Sequence, residues 1–356
     1  MKTFLAAYSL DQEAYGLIYG PEEREAISRL VTIADVPQPI LQPLELPFLL
    51  SKVNVLISGW GGPRLDRAFL DAAPNLKLVL YGAGSTSSVM TQSAWDRGIA
   101  VTSAYAANAI PVAEYSLATI LFSLKHGWEL ARMTKELRRF PRRDGAPGCF
   151  GRTVGLVSLG VIARKLLDLL KNFDLSVIAY DPYVSPDEAR RLGVRMVSLS
   201  ELFKNSDVIS LHTPQLTETE GLITGALLSS MRTGATFINT ARGPIVRENE
   251  LITTAIHRPD LQFILDVARK EPPDTDSPLY VLPNVVMTPH IAGSVGQECR
   301  RMGQYMVEEL NRFVSGKPLK WLVTPEMAAR SSHRPESQNV EVRIWPLSAP
   351  STATKY

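Results

Sequence analysis

The sequence predicts an α/β protein built from two doubly wound parallel-sheet domains with a cleft between them. Short apolar runs alternate with helical patterns along most of the chain, which is typical of strand–helix–strand units. The length of 356 residues exceeds the usual size of one compact core, so two domains are expected. Several apolar runs end in Gly, Asp, His or Pro, and strand ends are where such folds bind ligands.

The predicted strands are short and apolar, and two longer helical patterns separate groups of them. The clearest strands are residues 1–8, 54–58, 78–81, 99–102, 153–158, 176–180, 208–211, 236–239, 263–266 and 285–288. Residues 111–138 predict one long helix that begins at Pro111 and connects the domains. Residues 297–313 predict a helix that returns the chain to the first domain.

These two helices predict a discontinuous domain. We expect a substrate-binding domain of residues 1–117 plus 299–325 and a nucleotide-binding domain of residues 118–298, both Rossmann-like or flavodoxin-like. Residues 326–356 are rich in Pro, Ser and Thr and have little periodic apolar content, which predicts a poorly ordered tail.

The composition narrows the class of protein. A chain with 45% hydrophobic and 21% charged residues is typical of a globular protein. The net charge of +2 is too small for a nucleic-acid footprint, so we expect no nucleic-acid partner. No apolar run approaches the roughly 20 residues that span a bilayer, so we expect no membrane insertion. Cys149 and Cys299 lack any disulfide or metal-type spacing, which favours a cytoplasmic protein without a metal.

A nucleotide-binding signal lies in residues 151–163, where a strand runs into a Gly-containing turn and then a helix. Small residues are needed there because the backbone approaches the pyrophosphate closely and the helix N-terminus points N–H groups at it. Ser158 stands at the first glycine position of the dinucleotide fingerprint and Ala163 at the third. The candidate cofactor contacts are Ser158, Gly160, Val161 and Ile162.

The next strand ends in Asp181, about where an acidic residue binds the adenosine ribose hydroxyls. Its charge would repel a 2′-phosphate, and Pro182 and Tyr183 follow it rather than an arginine. The sequence therefore predicts NAD rather than NADP as the cofactor. The alternative interpretation is that Asp181 only caps the end of a strand.

Three ionisable residues follow strand ends further along the chain: Arg242, Glu271 and His290. Hydride transfer to a keto acid requires a cation for the anionic substrate and an acid that titrates near neutrality for the developing alkoxide. That acid in turn requires a carboxylate partner. Each residue alone could be a surface, loop or strand-end residue, so the hypothesis depends on the three together.

The motifs that carry these residues resemble those of the D-isomer-specific 2-hydroxyacid dehydrogenase family, and the resemblance extends to about residue 325. The similar segments occur in the family's order. They are Leu211-His212-Thr213-Pro214, Asn239-Thr240-Ala241-Arg242-Gly243, the stretch from Leu265-Asp266-Val267 to Glu271-Pro272, and Thr288-Pro289-His290-Ile291-Ala292-Gly293.

The resemblance implies an NAD-dependent oxidoreductase that moves a hydride to or from C2 of a small 2-hydroxy or 2-keto acid. Arg242 would bind the substrate carboxylate and carbonyl, His290 would be the acid/base, and Glu271 would pair with its imidazole and tune it. Asp266 would lie near the nicotinamide carboxamide. The residues that would line the nicotinamide are Thr213, Pro214, Thr240 and Ala241.

The first domain offers candidate substrate contacts in the turns that follow its strands, because backbone N–H groups in such turns bind carboxylates. They are Trp60, Gly84 and Ser85. Trp60 could close the pocket or pack in the core, and its sequence position is compatible with both interpretations. The family's usual Gly-x-Asp continuation is replaced by Ser-Thr-Ser, so the resemblance does not carry over a substrate preference.

The resemblance also implies a homodimer, since the family pairs subunits near the predicted connecting helix. The basic run from Arg132 to Arg143 is interpreted as a solvated face, although an anion site or a dimer contact is also compatible with it. Two other functions stay open, phosphoglycerate dehydrogenase-type activity and an NAD-sensing, corepressor-like interaction protein. Formate oxidation is disfavoured because that branch lacks a glutamate at the position of Glu271.

Overall fold

The structure, a computed structural model, describes residues 4–143 and 145–330. The strands are β1 Leu5–Tyr8, β2 Thr32–Ile33, β3 Val55–Ser58, β4 Leu78–Tyr81, β5 Ala100–Ser103, β6 Arg152–Val157, β7 Leu175–Tyr180, β8 Arg195–Met196, β9 Val208–Leu211, β10 Thr236–Asn239, β11 Gln262–Leu265 and β12 Val285–Met287.

The α-helices are α1 Gln12–Ile18, α2 Pro21–Leu30, α3 Pro47–Leu50, α4 Arg67–Ala72, α5 Gln92–Asp96, α6 Tyr105–Ser123, α7 Gly127–Leu137, α8 Val161–Leu170, α9 Pro186–Leu192, α10 Leu199–Asn205, α11 Gly225–Ser229, α12 Glu248–His257, α13 Glu298–Val314 and α14 Pro325–Ala329. Short 3₁₀ helices cover Pro43–Glu45, Thr217–Thr219, Gly243–Ile245 and Pro278–Tyr280.

The strands form two parallel sheets, which confirms the predicted fold class. The first has the order β2-β1-β3-β4-β5, and the second has the order β12-β11-β10-β9-β6-β7-β8. The first order is that of flavodoxin-like sheets. Read from β8, the second order is the 3-2-1-4-5-6 order of dinucleotide-binding sheets, followed by a seventh strand, β12. In the second sheet the strand order reverses between β6 and β9, so the ligand crevice is expected where these two strands end.

The central strands read as continuous apolar runs because helices cover both faces of each sheet. All four residues of β3, β4, β9, β10 and β11 are buried. The predictions missed only the two-residue edge strands β2 and β8, whose sequences are too short to show a period. The predicted strands that ended at residues 158, 266 and 288 stop one residue earlier, which leaves those polar residues at the sheet edge.

The connecting helix differs from its prediction. The structure begins α6 at Tyr105, six residues before Pro111, and separates it from α7 by a bend of 57°. The Ala-rich start is a good helix former, so Pro111 lies inside the helix rather than at its first position. Between α6 and α7, His126 has a left-handed φ of 49°, which breaks the α-helical hydrogen-bond pattern.

Helix α6 joins the two halves of the molecule. Ala104 and Ala107 lie in the core that covers the first sheet, whereas Ala113 and Ile120 lie in the core formed by α8 and the second sheet. Helix α13 packs on α1 and α2, with Met302 and Met306 in the first core, so the chain returns to the first sheet.

Two further expectations concern the end of the chain and membranes. Residues Pro325–Ala329 form α14 inside the segment expected to be poorly ordered, and the remainder of that segment from residue 331 lies outside the described residues. In the part of the chain that the structure describes, no single helix has the length and apolar content of a membrane span, although α6 and α7 together pass that test as a bent pair.

Candidate active site

Four strands of the second sheet end in register and place one polar side chain each at the same edge. Leu211 pairs with Asn239, Asn239 with Leu265, and Leu265 with Met287. The residue that follows each strand is therefore part of one row, and we call it the polar row: His212, Thr240, Asp266 and Thr288. The row lies at the carboxyl edge, where α/β sheets bind ligands.

His290 and Glu271 form a direct pair near this edge. The His290 Nδ1 atom lies 2.8 Å from the Glu271 Oε2 atom, and the side chains are 42% and 35% exposed. Because Nδ1 is engaged by the carboxylate, Nε2 is the ring nitrogen that a substrate can use. The backbone of His290 has a left-handed φ of 55°, an uncommon conformation for a residue with a side chain.

Asp266 holds the loop that carries His290. Its Oδ1 atom accepts hydrogen bonds from the Thr288 hydroxyl at 2.7 Å and the Ile291 N–H at 2.8 Å, and its Oδ2 atom accepts one from the Ala292 N–H at 2.9 Å. The His290 N–H donates to the Asp266 carbonyl at 2.9 Å. Asp266 is only 2% exposed, so these donors replace the water that a carboxylate needs.

Burial also controls how Asp266 titrates. Desolvation raises the pKa of Asp266 above its usual value, and the hydrogen bonds from Thr288, Ala292 and Ile291 together with the charge of His290 oppose that rise. The Thr288 hydroxyl is also 2.7 Å from the Tyr115 hydroxyl on α6, which anchors the row to the connecting helix. Asp266 thus acts in this structure as the support of the His290 loop.

Arg242 is positioned by the turn that follows β10. The Asn239 amide donates to the Arg242 carbonyl at 3.1 Å and accepts from the Ala241 N–H at 2.9 Å, which closes the turn. Gly243 then passes against the neighbouring loop, and a Cβ atom there would lie 2.0 Å from the Ala268 carbonyl carbon. Only glycine allows this approach, which brings the Arg242 turn beside the loop that leads to Glu271.

The charges of the site keep Glu271 ionised. Burial raises the pKa of Glu271, but the hydrogen bond from His290, the charge of His290, the Ala268 N–H and the charge of Arg242 together bring it below its usual value. The structure therefore brings together the three residues that the sequence predicted as a set.

The turn after β6 is open to solvent at Gly160 and contains a left-handed residue at Ser158. Gly160 caps α8, and nothing lies within 4 Å of where its Cβ atom would stand, so the backbone is open to a ligand. Val161 is 41% exposed at the first position of α8, and Ile162 follows it. Ser158 adopts a left-handed φ of 74°, and its hydroxyl is 2.9 Å from the Thr213 hydroxyl.

Asp181 closes the same turn from the next strand. Its Oδ2 atom accepts from the Leu159 N–H at 2.7 Å, and its Oδ1 atom accepts from the Tyr183 N–H at 2.8 Å. Beside it is an open pocket of about 410 Å³ that Asp181 and Glu201 both line. Hydrogen bonds from the Ser198 hydroxyl and N–H hold the pKa of Glu201 below its usual value, so two negative charges face the pocket.

The polar row at the carboxyl edge of the second sheet also contains two buried polar atoms without a hydrogen-bond partner in the described part of the chain. Among the described residues, the Thr240 hydroxyl and the His212 Nδ1 atom are buried without a hydrogen-bond partner. Buried polar groups are normally hydrogen-bonded, so both atoms fit a site that a bound group or a water completes. Together with the open turn at Gly160, these atoms fit a dinucleotide lying along the carboxyl edge.

The remaining predicted residues are located as follows. Pro214 and Ala241 lie next to Thr213 and Arg242 at the same edge, and Ala241 is 8% exposed. Gly84 and Ser85 are half-buried in the turn after β4, and the Ser85 hydroxyl is 3.1 Å from the Ser87 hydroxyl.

Trp60 is half-buried and packs against both cores of the first sheet, so core packing accounts for its position.

A hydrogen bond between Asn108 and Ser294 connects the two domains. The Asn108 amide on α6 accepts from the Ser294 N–H at 2.8 Å, and its nitrogen lies 3.7 Å from where a Cβ atom of Gly84 would stand.

Sequence reasoning missed four residues of the site. They are Tyr115, Gly243, Thr288 and Glu201. Thr288 could have been found, because it is a polar residue at the end of a predicted strand. Gly243 belongs to a motif that the sequence shows, but its contact with the Ala268 backbone left no local signal. Tyr115 and Glu201 depend on contacts between distant segments and left no local signal.

Outside the pocket lining, the guanidinium carbon of Arg330 lies 5.7 Å from the centre of the Tyr183 ring. No group of three His, Cys, Asp or Glu side chains is placed to hold a metal ion within residues 4–143 and 145–330.

Comparison with known proteins relates this geometry to a family. The sequence model described as "D-isomer specific 2-hydroxyacid dehydrogenase, NAD binding domain" matches residues 117–292. The D-3-phosphoglycerate dehydrogenase of Archaeoglobus fulgidus is 33% identical over 257 residues, which are 72% of this chain and 49% of that protein. The hydroxypyruvate reductase of Thermotoga maritima is 31% identical over 306 residues, which are 85% of this chain and 94% of that protein.

A solved structure has a similar fold. The TT0316 protein from Thermus thermophilus aligns with a TM-score of 0.69 and 28% identity over 90% of this chain and 99% of that chain. The two parallel sheets and the open turn at Gly160 define a two-domain α/β protein with an NAD-binding domain. The chain belongs to the D-isomer-specific 2-hydroxyacid dehydrogenase family. It spans about half the length of the phosphoglycerate dehydrogenases that it matches.

Proposed function

We propose that this chain is an NAD-dependent oxidoreductase that moves a hydride between nicotinamide and C2 of a small 2-hydroxy or 2-keto acid. The observation that carries the proposal is the 2.8 Å pair of His290 and Glu271, next to a turn that holds Arg242. Family membership supports the same reaction class. Bound NADH supplies the hydride, and the protein supplies the binding, orientation and proton transfer.

Each residue has a distinct role in this proposal. Arg242 binds the substrate carboxylate and orients the carbonyl, because a guanidinium forms paired hydrogen bonds with carboxylates. His290 donates a proton from Nε2 to the carbonyl oxygen as negative charge develops there. Glu271 holds Nδ1, which fixes the ring orientation and stabilises the charged imidazole. In the reverse direction, neutral His290 removes the proton from the hydroxyl group.

The proposed cofactor contacts follow the carboxyl edge of the second sheet. Ser158, Gly160, Val161 and Ile162 would face the pyrophosphate, and Asp181 would face the adenosine ribose. Thr213, Pro214, Thr240, Ala241 and Asp266 would line the nicotinamide side. NAD is favoured over NADP because Asp181 and Glu201 place two negative charges at the adenosine pocket.

The substrate side of the cleft is proposed from the first domain. The turn containing Gly84 and Ser85 would offer N–H groups to the substrate carboxylate, with Trp60 nearby. Among substrates, phosphohydroxypyruvate and hydroxypyruvate are the first to test, because relatives are named for phosphoglycerate and hydroxypyruvate. Phosphoglycerate oxidation is the second candidate function for this reason.

We also propose a homodimer that forms through α7 and the segment after it. No residue of α7 is buried, and Leu137, Phe140 and Phe150 are 45%, 91% and 84% exposed. Large apolar side chains in water mark interaction surfaces. Light scattering should give twice the chain mass for the unsubstituted protein and a monomer for Phe140→Asp. Phe48→Asp, at another highly exposed position with 76% exposure, is the control that should leave the dimer intact.

The decisive assay follows NADH oxidation at the nicotinamide absorbance with a panel of keto acids. The panel contains glyoxylate, hydroxypyruvate, pyruvate, branched-chain keto acids and phosphohydroxypyruvate, and NADPH is tested in parallel. A strong rate with NADH and one member of the panel is the expected result. If NADH binds but no member is reduced, the proposed reaction is contradicted and an NAD-sensing role gains support.

A further inference from the structure

Ser158 has an unusual backbone conformation at the centre of the cofactor crevice. Its φ is 74°, in the left-handed region that glycine adopts freely and other residues adopt at a cost. Glycine is the usual residue at this first fingerprint position, because the turn there is tight. Ser158 therefore places a side chain at a left-handed position where glycine would be favoured. Strain of this kind persists where the surrounding structure holds it in place, and it is frequent at ligand sites.

The Ser158 side chain spans the crevice at the point where the strand order reverses. Ser158 follows β6 and Thr213 comes two residues after β9, and these adjacent strands are paired up to Val157 and Leu211. The two hydroxyl oxygens are 2.9 Å apart, which is hydrogen-bond distance. A dinucleotide that follows the carboxyl edge has to cross this position.

The Ser158 and Thr213 hydroxyl groups together have one proton that their mutual hydrogen bond does not use. Each hydroxyl has one proton, and the hydrogen bond between Ser158 and Thr213 uses one of the two. Thr213 is 4% exposed whereas Ser158 is half-buried, so the open side of the pair is Ser158. With Thr213 donating to Ser158, the Ser158 proton stays available for an acceptor in the crevice. The pyrophosphate of a dinucleotide is anionic and only accepts hydrogen bonds.

We propose that the Ser158 hydroxyl, oriented by Thr213, is a cofactor-positioning contact that donates a hydrogen bond to the pyrophosphate of NAD(H). The inference rests on the proposed function and goes beyond it, because the fingerprint assigns this position to the backbone alone. The opposite possibility is that the hydroxyl pair narrows the crevice and weakens binding. The two alternatives predict changes of opposite sign when the hydroxyl is removed.

The test measures binding rather than turnover, with NADH, ADP-ribose and AMP as probes in calorimetric titrations. Ser158→Ala removes the hydroxyl, and Ser158→Gly also removes the strain. Both variants should bind NADH and ADP-ribose about tenfold more weakly, the loss of one hydrogen bond to a charged group. AMP, which lacks the pyrophosphate, should bind as before. Thr213→Val should give a smaller loss, because it removes the partner that orients Ser158 and leaves the Ser158 hydroxyl in place.

The outcomes separate this inference from the proposed function. If the unsubstituted protein binds NADH and both Ser158 variants bind it equally well or more tightly, the inference is overturned while the proposed function stands. If the unsubstituted protein binds none of the three probes, both fail. An equal loss for AMP and NADH would also overturn the inference, because it would indicate a general disturbance of the turn. Ser158→Gly relieves strain and should fold, so the test does not depend on Ser158→Ala.

Discussion

Gly243 and Ala268 lie in backbone contact, and this contact holds the Arg242 turn against the loop that leads to Glu271. A Cβ atom at Gly243 would lie 2.0 Å from both the carbonyl carbon and the carbonyl oxygen of Ala268. Two segments that follow different strands of the second sheet thereby approach each other through their backbones. The relative position of the guanidinium and the imidazole–carboxylate pair depends on the absence of one methyl group.

Gly243→Ala is therefore expected to separate the substrate-binding cation from the acid/base pair. A forced backbone shift of this kind costs about 1–3 kcal/mol of stability and lowers kcat/KM by roughly a hundredfold. Steady-state kinetics and thermal melting measure the two effects. Gly16→Ala is the control, because nothing lies within 4 Å of the added methyl group and the residue is inside α1. Unchanged kinetics in Gly243→Ala would show that the contact does not position Arg242.

His290→Gln should abolish proton transfer and leave cofactor binding intact. General acid–base groups contribute about 10²–10⁴-fold to rates, and the loss should appear in kcat with little change in the dissociation constant of NADH. Stopped-flow reduction of the best keto acid and fluorescence titration of NADH measure the two quantities. A variant that retains full turnover would remove His290 from its proposed role.

Glu271→Gln keeps a hydrogen-bonding group beside His290 but removes the negative charge. Reduction requires the charged imidazole, which the Glu271 carboxylate stabilises, so kcat should fall. Stability should also change with pH. The pKa of Glu271 is lowered from 4.5, so its ionised form stabilises the native state above about pH 4.5 and this contribution disappears as pH falls through the native pKa.

Melting temperatures of the Glu271→Gln variant and the unsubstituted protein should therefore differ near neutrality and converge in acid. Circular dichroism melts from about pH 3 to about pH 8 would measure the difference, since this range includes the usual glutamate pKa of 4.5. A constant difference across this range would contradict an ionised Glu271 that stabilises the site.

Asp266→Asn should loosen the loop that carries His290. Both carboxylate oxygens of Asp266 accept hydrogen bonds, and an asparagine amide would direct its NH₂ group at one of these donors. The expected loss of stability is about 1–3 kcal/mol, together with a lower kcat. Thr288→Val removes a single donor and should have a smaller effect on both. Equal effects of the two variants on urea unfolding would show that the backbone donors contribute little.

His212 should make the protein sensitive to mild acid. Burial lowers the pKa of His212 from 6.5 to about 4, so the unfolded chain binds a proton at this residue before the native state does. Stability is then lost as pH falls from 6.5 towards 4, by as much as about 3 kcal/mol from this residue. His212→Gln, which retains an amide where Nε2 faces Ser210, should flatten the decline in the free energy of unfolding. An unchanged slope would indicate that other groups cause it.

Much of the fold was predictable because burial on both faces of a parallel sheet leaves a strong local signal. The runs at 78–81, 208–211 and 236–239 coincide with β4, β9 and β10. The connecting helix was predicted less well. Pro111 predicts a helix start but lies inside α6, and the break near His126 depends on a left-handed residue that no periodicity reveals.

The residues of the candidate site were predictable for a different reason. Ligands bind where parallel strands end, so Arg242, Glu271 and His290 could be selected from their positions after strands and from the chemistry of keto-acid reduction. Their family resemblance strengthened the selection. The pairing of Glu271 with His290 was implied by the family resemblance and not by local sequence, because separate loops carry the two residues.

Only the tertiary structure decided how these residues are oriented. It shows Glu271 on Nδ1 of His290, Asp266 beneath the His290 loop, and the Ser158 hydroxyl against Thr213. It also shows that Gly243 lies against the Ala268 backbone. Local sequence encodes propensity and periodicity over one or two turns, whereas these contacts join segments tens of residues apart. Their geometry is set by strand order and register, which form only when the sheet assembles.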